Sequence, residues 1–372
     1  MKLECVRDKI KEAVGLAEKI SGKNLNLPIL SAVLLEAVND TLVVKATNLE
    51  VGIEIKIPVK TDKNGLIAVN ANTLANYLNN LTKEDKIFLE GDKDNLKLKS
   101  ESTNTVIKSL PADDFPLIPK IDLKDEKTNS FEINAQDFNN GLKAVFFAAS
   151  VSDIKPEISS VYLYQQDQNL IFAATDSFRL AEKKINIPSF IKDLNINLII
   201  PFKNITELIK VLENLNEKIT VIFNKNQLVV KTDKIYLTLR VIDGVYPDYR
   251  QIIPKQFKTE FNIKKEELTN LLKLSTIFSD RFNQINLTLL PEKNTLELTS
   301  FNQEVGENKS TLLIKIDGEP MNISFNAKYL IDCLNSIEEP TIKMKLTDLN
   351  KPLIISGLND QSFIYLAMPI NK

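Results

Sequence analysis

A chain of 372 residues is too long for one ordinary core, and its 43% hydrophobic and 26% charged residues set two or three soluble globular domains as the expectation. With no His and only Cys5 and Cys333, the sequence excludes His-based general bases, Ser-His and Cys-His nucleophiles and a disulfide framework, and does not supply a zinc site. A net charge of −2 excludes a globally basic surface, and no two glycines lie closer than Gly15 and Gly22, which excludes GxGxxG loops and P-loops.

From the N-terminus, Leu3, Val6, Ile10, Ala13, Val14, Ala17 and Ile20 recur at helical spacing, which predicts a helix closed by Gly22. No secretory signal and no apolar run near the roughly 20 residues of a membrane helix is seen, so a cytoplasmic protein is expected. Leu27-Pro28-Ile29-Leu30 follows, then strands around 33–35, 42–44 and 51–57. Asn70-Ala71 caps a helix with Leu74, Leu78 and Leu81 on one face, and strands follow at 86–89, 96–98 and 105–108. The order restarts at Asn134-Ala135 with a helix bearing Phe138, Leu142, Val145 and Ala149, then strands at 161–163 and 170–173. Pro201-Phe202-Lys203 opens a helix with Ile205, Leu208, Leu212 and Leu215, before strands at 219–222, 228–230 and 235–239. A third pass opens with a helix carrying Leu268, Leu271, Leu272 and Ser275, then strands at 285–287 and 296–298. It continues with a helix capped by Asn326-Ala327 and ends with strands at 341–346, 353–355 and 363–366.

The passes are separated by Pro-rich exits. Residues 109–120 and 241–255 both end Ile-Pro-Lys, and residues 366–372 look like the same exit cut short. Prolines at both ends of residues 241–255 mark a linker. Corresponding helix landmarks (Glu4, Ala135, Lys265; Asn72, Lys203, Lys328) recur about every 130 residues, too long a period for a solenoid unit. The expectation is an α+β protein of three tandem similar domains, each of two helices plus antiparallel sheets: residues 1–122, 123–255 and 256–372.

In order and spacing, Leu27-Pro28-Ile29-Leu30, Leu110-Pro111-Ala112-Asp113-Asp114-Phe115-Pro116, Ala174-Thr175-Asp176-Ser177-Phe178-Arg179-Leu180-Ala181, Tyr246-Pro247-Asp248-Tyr249-Arg250, Phe325-Asn326-Ala327-Lys328-Tyr329-Leu330 and Met368-Pro369 resemble the bacterial DNA sliding clamp family, the beta subunits of DNA polymerase III. The resemblance covers the whole length. It implies a non-catalytic DNA-clamp fold, a head-to-tail homodimeric ring around double-stranded DNA of any sequence. Strands would form its rim and helices would line its hole. DNA polymerase, clamp-loader and repair proteins would dock through short peptides, with no cofactor and no metal. Helix packing supports two chains: six helices about 8–10 Å apart close a hole of roughly 9 Å, whereas twelve leave about 28 Å. The major groove alone is about 12 Å wide.

The resemblance implies a peptide pocket of Thr175, Ser177, Phe178, Arg179 and Leu180, joined by Ile158, Pro247, Gln251 and Ile252 and by Leu366, Met368, Pro369 and Ile370. The residue-level reading of Thr175-Asp176 is a strand-to-turn transition with Asp176 capping its own backbone. The sequence departs from the family at Ser177-Phe178, where Gly-His is usual, at Gln251, where a base is common, and at the Ile370-Asn371-Lys372 end. Lys2, Lys9, Lys264, Lys265 and Lys273 fall on predicted helices, and so do Arg7, Lys11, Lys143, Lys203 and Lys210, which are assigned to face DNA. Point charges suit sequence-independent phosphate attraction, and an ordinary solvated helix face is the alternative. The helix over 71–81 carries no cation. Thr105 and Ile107 on one edge, with Ile277 and Phe278 on the other, are the expected dimer contacts. Two other readings are a scaffold ring that binds no DNA and a carboxylate-metal nuclease built on Asp113, Asp114 and Asp348.

Overall fold

The computed structural model describes all residues except 23–25, 82–84, 153, 188–193, 195 and 371–372. It comprises two compact units, Met1–Gln136 with Thr206–Val241, and Asp137–Ile205 with Ile242–Lys372. Among the described residues no helix is long and apolar enough to cross a membrane.

In the first unit α1 (Arg7–Ile20) buries Ile10, Ala13, Val14, Leu16, Ala17 and Ile20, the stripe its 3.6-residue period dictates. The helix begins later than the spacing predicts. Lys2–Val6 is a strand that turns Leu3 and Cys5 inward, so an apolar alternation of period two had merged with a helical one. Lys2 and Cys5 are therefore strand residues, and burial pushes the Cys5 thiol up to about 12. Gly22 does not form a left-handed cap: Ser21 N–H closes the helix on the Ala17 and Glu18 carbonyls, and Gly22 N–H goes to Leu30 O at 2.7 Å. α2 (Ala71–Asn80) is capped as its sequence predicts, Asn70 accepting from Thr73 N–H.

These helices pack on an antiparallel sheet of thirteen strands among the described residues. The sheet is continuous across two sequence repeats, because Ile235–Arg240 pairs with Val51–Pro58, placing Leu237 opposite Ile53. The first exit is strapped over that joint. Tyr236 OH donates to Pro119 O at 3.1 Å and accepts from Ile121 N–H, while Lys120 lies over the Tyr236 ring and pairs with Glu54.

The second unit holds a nine-stranded and a four-stranded antiparallel sheet among the described residues. In the larger, Arg179–Asn186 pairs with Phe363–Ala367, so the second and third repeats also share a sheet. The residues of α3 (Ala135–Val145) and α4 (Phe202–Leu212) are divided between the units; α5 (Lys265–Ile277) and α6 (Ala327–Leu334) belong to the second. Each of these helices follows directly on a strand, as Asn129–Asn134 runs into α3 and Met321–Asn326 into α6. These feeder strands do alternate with period two, but their runs are short and their outward positions are Asn, Ser, Lys or Glu, residues mostly uncommon in strands, so the signal is weak. Lys264 thus ends a strand and is not a helix residue.

Candidate partner-binding surface

The strand Asn169–Thr175 ends in a turn built from its own polar side chains. Asp176 Oδ1 accepts from the backbone N–H groups of Phe178 and Arg179, both at 2.9 Å, as the sequence predicts. Thr175 Oγ1 donates to Arg179 O and accepts from Ser177 N–H. The turn forces Ser177 to φ +78°, the left-handed region where a Cβ costs about 1–2 kcal/mol. A glycine at this position would carry no such penalty, which is the physical sense of the family preference from which Ser177 departs.

Arg179 fixes the turn to the neighbouring helix. Its Nε donates to Asp176 Oδ2 at 2.9 Å and its Nη1 to Asp332 Oδ2 on α6 at 2.7 Å. The guanidinium lies 4.5 Å from the Tyr329 ring centroid and 5.7 Å from that of Phe147. A guanidinium this buried keeps its charge because its donors are matched by carboxylates and its face by rings, so Arg179 is a rigid wall and not a free charge. Phe178 stands 62% exposed beside it.

The chain end is tied to the same turn. Leu180 lies opposite Leu366, and Met368 N–H donates to Phe178 O at 2.8 Å, extending the pairing beyond the last strand. Two residues on, Ile370 N–H donates to Ser324 O. The half-buried Met368 and Pro369 therefore sit on a fixed backbone.

Below the turn lies a floor that the sequence reading missed. Leu180 and Leu366 are buried with Tyr164, Tyr246, Tyr249, Ile199 and Ile354, so they are floor and not open wall. Residues 241–255, expected as a linker, are seated on it: Tyr246 stacks on Tyr162 with ring centroids 4.7 Å apart, and Tyr249 crosses Tyr246 edge-on. Tyr249 OH donates to buried Glu182 Oε2 at 2.5 Å and shares a hydrogen bond with Tyr164 OH. This seating presents Pro247, Gln251 and the 49%-exposed Ile252 outward. The prolines marked the break in regular structure, but only the tyrosine spacing could have signalled burial.

Burial, reinforced by the Glu182 carboxylate, raises the Tyr249 pKa far above the usual 10.0. Below pH 10 the phenol is neutral folded and unfolded, and its contribution is complete; above it the unfolded chain ionises first and stability falls. Tyr249→Phe is expected to cost about 1–3 kcal/mol at pH 7 by leaving Glu182 without its phenol donor. It should also make the decline above pH 10 shallower, and thermal melts of both proteins from pH 7 to 11 check both effects.

Of the expected pocket, the structure brings Thr175, Ser177, Phe178, Arg179, Leu180, Leu366 and Met368 onto one turn and register. Ile158 is half-buried, its carbonyl accepting from Ser150 N–H. Gln251 is engaged with Asp248 Oδ2 at 3.0 Å. Ile370 is drawn aside, lining a separate depression with Leu349, Asn350 and Ser324. Asn371 and Lys372 lie outside the described residues.

The helical cations differ among themselves. Lys203 is exposed and Lys11 and Lys143 are half-buried. Arg7 pairs with Asp8 at 3.0 Å, and Lys210 with Glu207 at 2.9 Å. Strand Asn104–Leu110 pairs with Asn95–Lys99 over residues 104–108 and with Gly65–Asn70 at its last two residues, leaving the other side of 104–108 an open edge among the described residues. Thr105 is half-buried and the Ile107 side chain is turned into its own core. In the other unit Ile277, 60% exposed, ends α5, and half-buried Phe278 caps it. The edge strand Gly306–Leu313 there pairs, among the described residues, only with Thr295–Asn302. Among the described residues no group of three or more Cys, Asp or Glu side chains is placed to hold a metal ion.

Comparison with known proteins gives three consecutive matches to family models: the N-terminal domain of the DNA polymerase III beta subunit over residues 1–119, its central domain over 132–248 and its C-terminal domain over 250–371. The chain is 28% identical over 375 residues to the beta sliding clamp of Synechococcus elongatus, covering 100% of this chain and 99% of the relative. It is 27% identical to the beta sliding clamp of Bacillus subtilis with the same coverage. The crystal structure of the Bacillus subtilis DNA polymerase sliding clamp is similar with a TM-score of 0.92 at 26% identity, over 100% of this chain and 99% of that one. The DNA polymerase III beta subunit of Thermotoga maritima gives 0.92 at 25% with the same coverage.

Proposed function

Because the chain belongs to the DNA polymerase III beta-subunit family, we propose that it works as a sliding clamp: two copies encircle duplex DNA and tether the replicative polymerase, with clamp loader and repair proteins docking on the same ring. The observation that carries this reading is the succession of three family domains along the entire chain. It is a non-catalytic accessory subunit, and a cytoplasmic location goes with that role. The division into residues 1–122, 123–255 and 256–372 is retained, with two sheets each shared across a domain boundary.

In this reading the partner peptide lies over the Thr175–Leu180 turn, its apolar side chains between Met368, Pro369, Pro247 and Ile252. Concave apolar walls on a fixed backbone suit such a peptide, and the flexible Met thioether lets one site repack around several partners. Gln251, held by Asp248, offers an amide where family members commonly place a base, which shifts the preference from acidic towards neutral flanking residues. Ring closure uses the open backbone edge of Asn104–Leu110 around Thr105 and Ile107, the Ile107 side chain backing that edge from its own core, against Ile277 and Phe278 of the second copy.

Arg7, Lys11, Lys143, Lys203 and Lys210 face the duplex. Lys210 and Arg7 are each held by a carboxylate on their own helix, and Lys203 is the exposed cation of α4. Lys203→Glu with Lys210→Glu is expected to shorten retention on nicked circular DNA about tenfold at low salt, with the difference shrinking as salt rises. Unchanged retention at low salt would remove α4 from the DNA-facing surface.

A further inference from the structure

Five adjacent strands at one end of the thirteen-stranded sheet present a face on which the function above draws only at the open edge of the last: Lys60–Lys63, Lys2–Val6, Lys86–Gly91, Asn95–Lys99 and Asn104–Leu110. Their alternation turns Leu3, Ile87, Leu89, Leu96 and Leu98 into the core. The opposite positions reach solvent and are dominated by lysine.

The pairing there is not that of an ordinary solvated face. Lys2 lies directly opposite Lys63, a like-charge pair that costs stability. Lys99 is opposite Phe88 and Asn104, and Lys108 opposite Asn95. Among the described residues none of Lys2, Lys63, Lys99 and Lys108 has an ion pair. The carboxylates on these strands are Glu4, taken by Lys86 at 2.6 Å with Lys60 beside it, Asp62, exposed beside Lys63, and Glu90, between Lys2 and Lys97; Asp92 in the next turn lies 3.6 Å from Lys97. Some outward lysines elsewhere are matched across strands, as Lys343 with Glu260 and Lys309 with Glu297, and others, as Lys231, stand singly among the described residues and not in adjoining rows. In a chain of net charge −2, such a surplus is segregated charge. At its middle Phe88 stands 51% exposed, with Lys99 on one side and Glu4 on the other.

We propose that this face binds single-stranded nucleic acid, with phosphates along the lysine rows and a base stacked on Phe88. Outward side chains repeat about 6.7 Å along a strand and about 4.8 Å across strands, a flat array of point charges that tracks a flexible backbone. A half-exposed aromatic among cations favours a single strand over a duplex, whose base faces are already stacked. It also favours nucleic acid over an acidic protein segment, which has no use for the ring. The site is sequence-tolerant, because every base has a face to stack.

The test is fluorescence anisotropy of a labelled 20-mer oligothymidylate on the full chain at about 50 mM salt, compared among four proteins. Lys2→Glu/Lys63→Glu/Lys99→Glu, none of them on the ring-closing strand, is expected to lose at least tenfold in affinity. It should also flatten the slope of log affinity against log salt by about 2, three contacts at roughly 0.7 each. Phe88→Ala, at an exposed position that leaves the fold intact, should lose about tenfold with the salt slope unchanged. Lys203→Glu/Lys210→Glu should bind the oligomer as the parent does, and the triple variant should keep its retention on circular DNA, which separates this face from the clamp reading. Equal binding by parent and triple variant overturns the proposal. So does a Phe88→Ala variant of parental affinity, or a face that binds polyglutamate and not the oligomer.

Discussion

Removing Met368 to Lys372 is expected to abolish binding of a Leu- and Phe-containing clamp-binding peptide, weakening it about 100-fold or more in calorimetry. The deletion takes away the Met368 and Pro369 wall, and anchor contacts of that kind are each worth about 2 kcal/mol or more. It also removes two backbone hydrogen bonds, Met368 N–H to Phe178 O and Ile370 N–H to Ser324 O, at about 1 kcal/mol each. The last strand should survive, since Leu366 and Tyr365 remain buried in register with Leu180 and Ala181. Met368→Ala separates the effects: it keeps the backbone bonds and should lose about tenfold in peptide affinity. Parental affinity in the truncated protein would place the pocket elsewhere, and a collapsed dimer would show the tail to be structural.

The second large effect is on assembly. Ile277→Ala with Phe278→Ala is expected to turn dimers into monomers in sedimentation at low micromolar concentration. Ile277 is 60% exposed at the end of α5, and its loss leaves the helix core of Leu268, Leu272 and Ser275 intact. Closing the edge of Asn104–Leu110 against another copy also protects a strand that would otherwise template aggregation. A dimer that persists in the double variant would place the interface on other residues.

What was legible in the sequence follows from how local each signal is. The meeting of Leu180 with Leu366 is implied by the family resemblance and is seen only in the pairing register, whereas Asp176 capping its own turn is legible because Asp bonds to backbone two and three residues away. The Asn caps of α2 and α6 were equally local. The Arg179–Asp332 pair spans 153 residues and left no local trace. The start of α1 was misplaced because Leu3 and Val6 happen to continue the helical stripe of Ile10 and Ala13. Residues 241–255 were read as a linker because proline reports the backbone and says nothing of burial, whereas Tyr246 and Tyr249 carry the seating. The repeat was visible in helix spacing, but its finer unit, a strand leading directly into each helix, was hidden by feeder strands whose outward residues are polar.

The central claim is topological: the protein holds DNA by enclosing it. The most direct measurement loads the clamp onto nicked circular duplex at moderate salt, isolates the complex, and follows retention before and after a single cut by a restriction enzyme. Enclosure predicts stable retention on the circle and rapid loss once ends exist, at the same ionic strength. Equal retention on circular and linear molecules would contradict enclosure and leave only electrostatic adhesion, and no retention on either would leave a ring that does not use DNA.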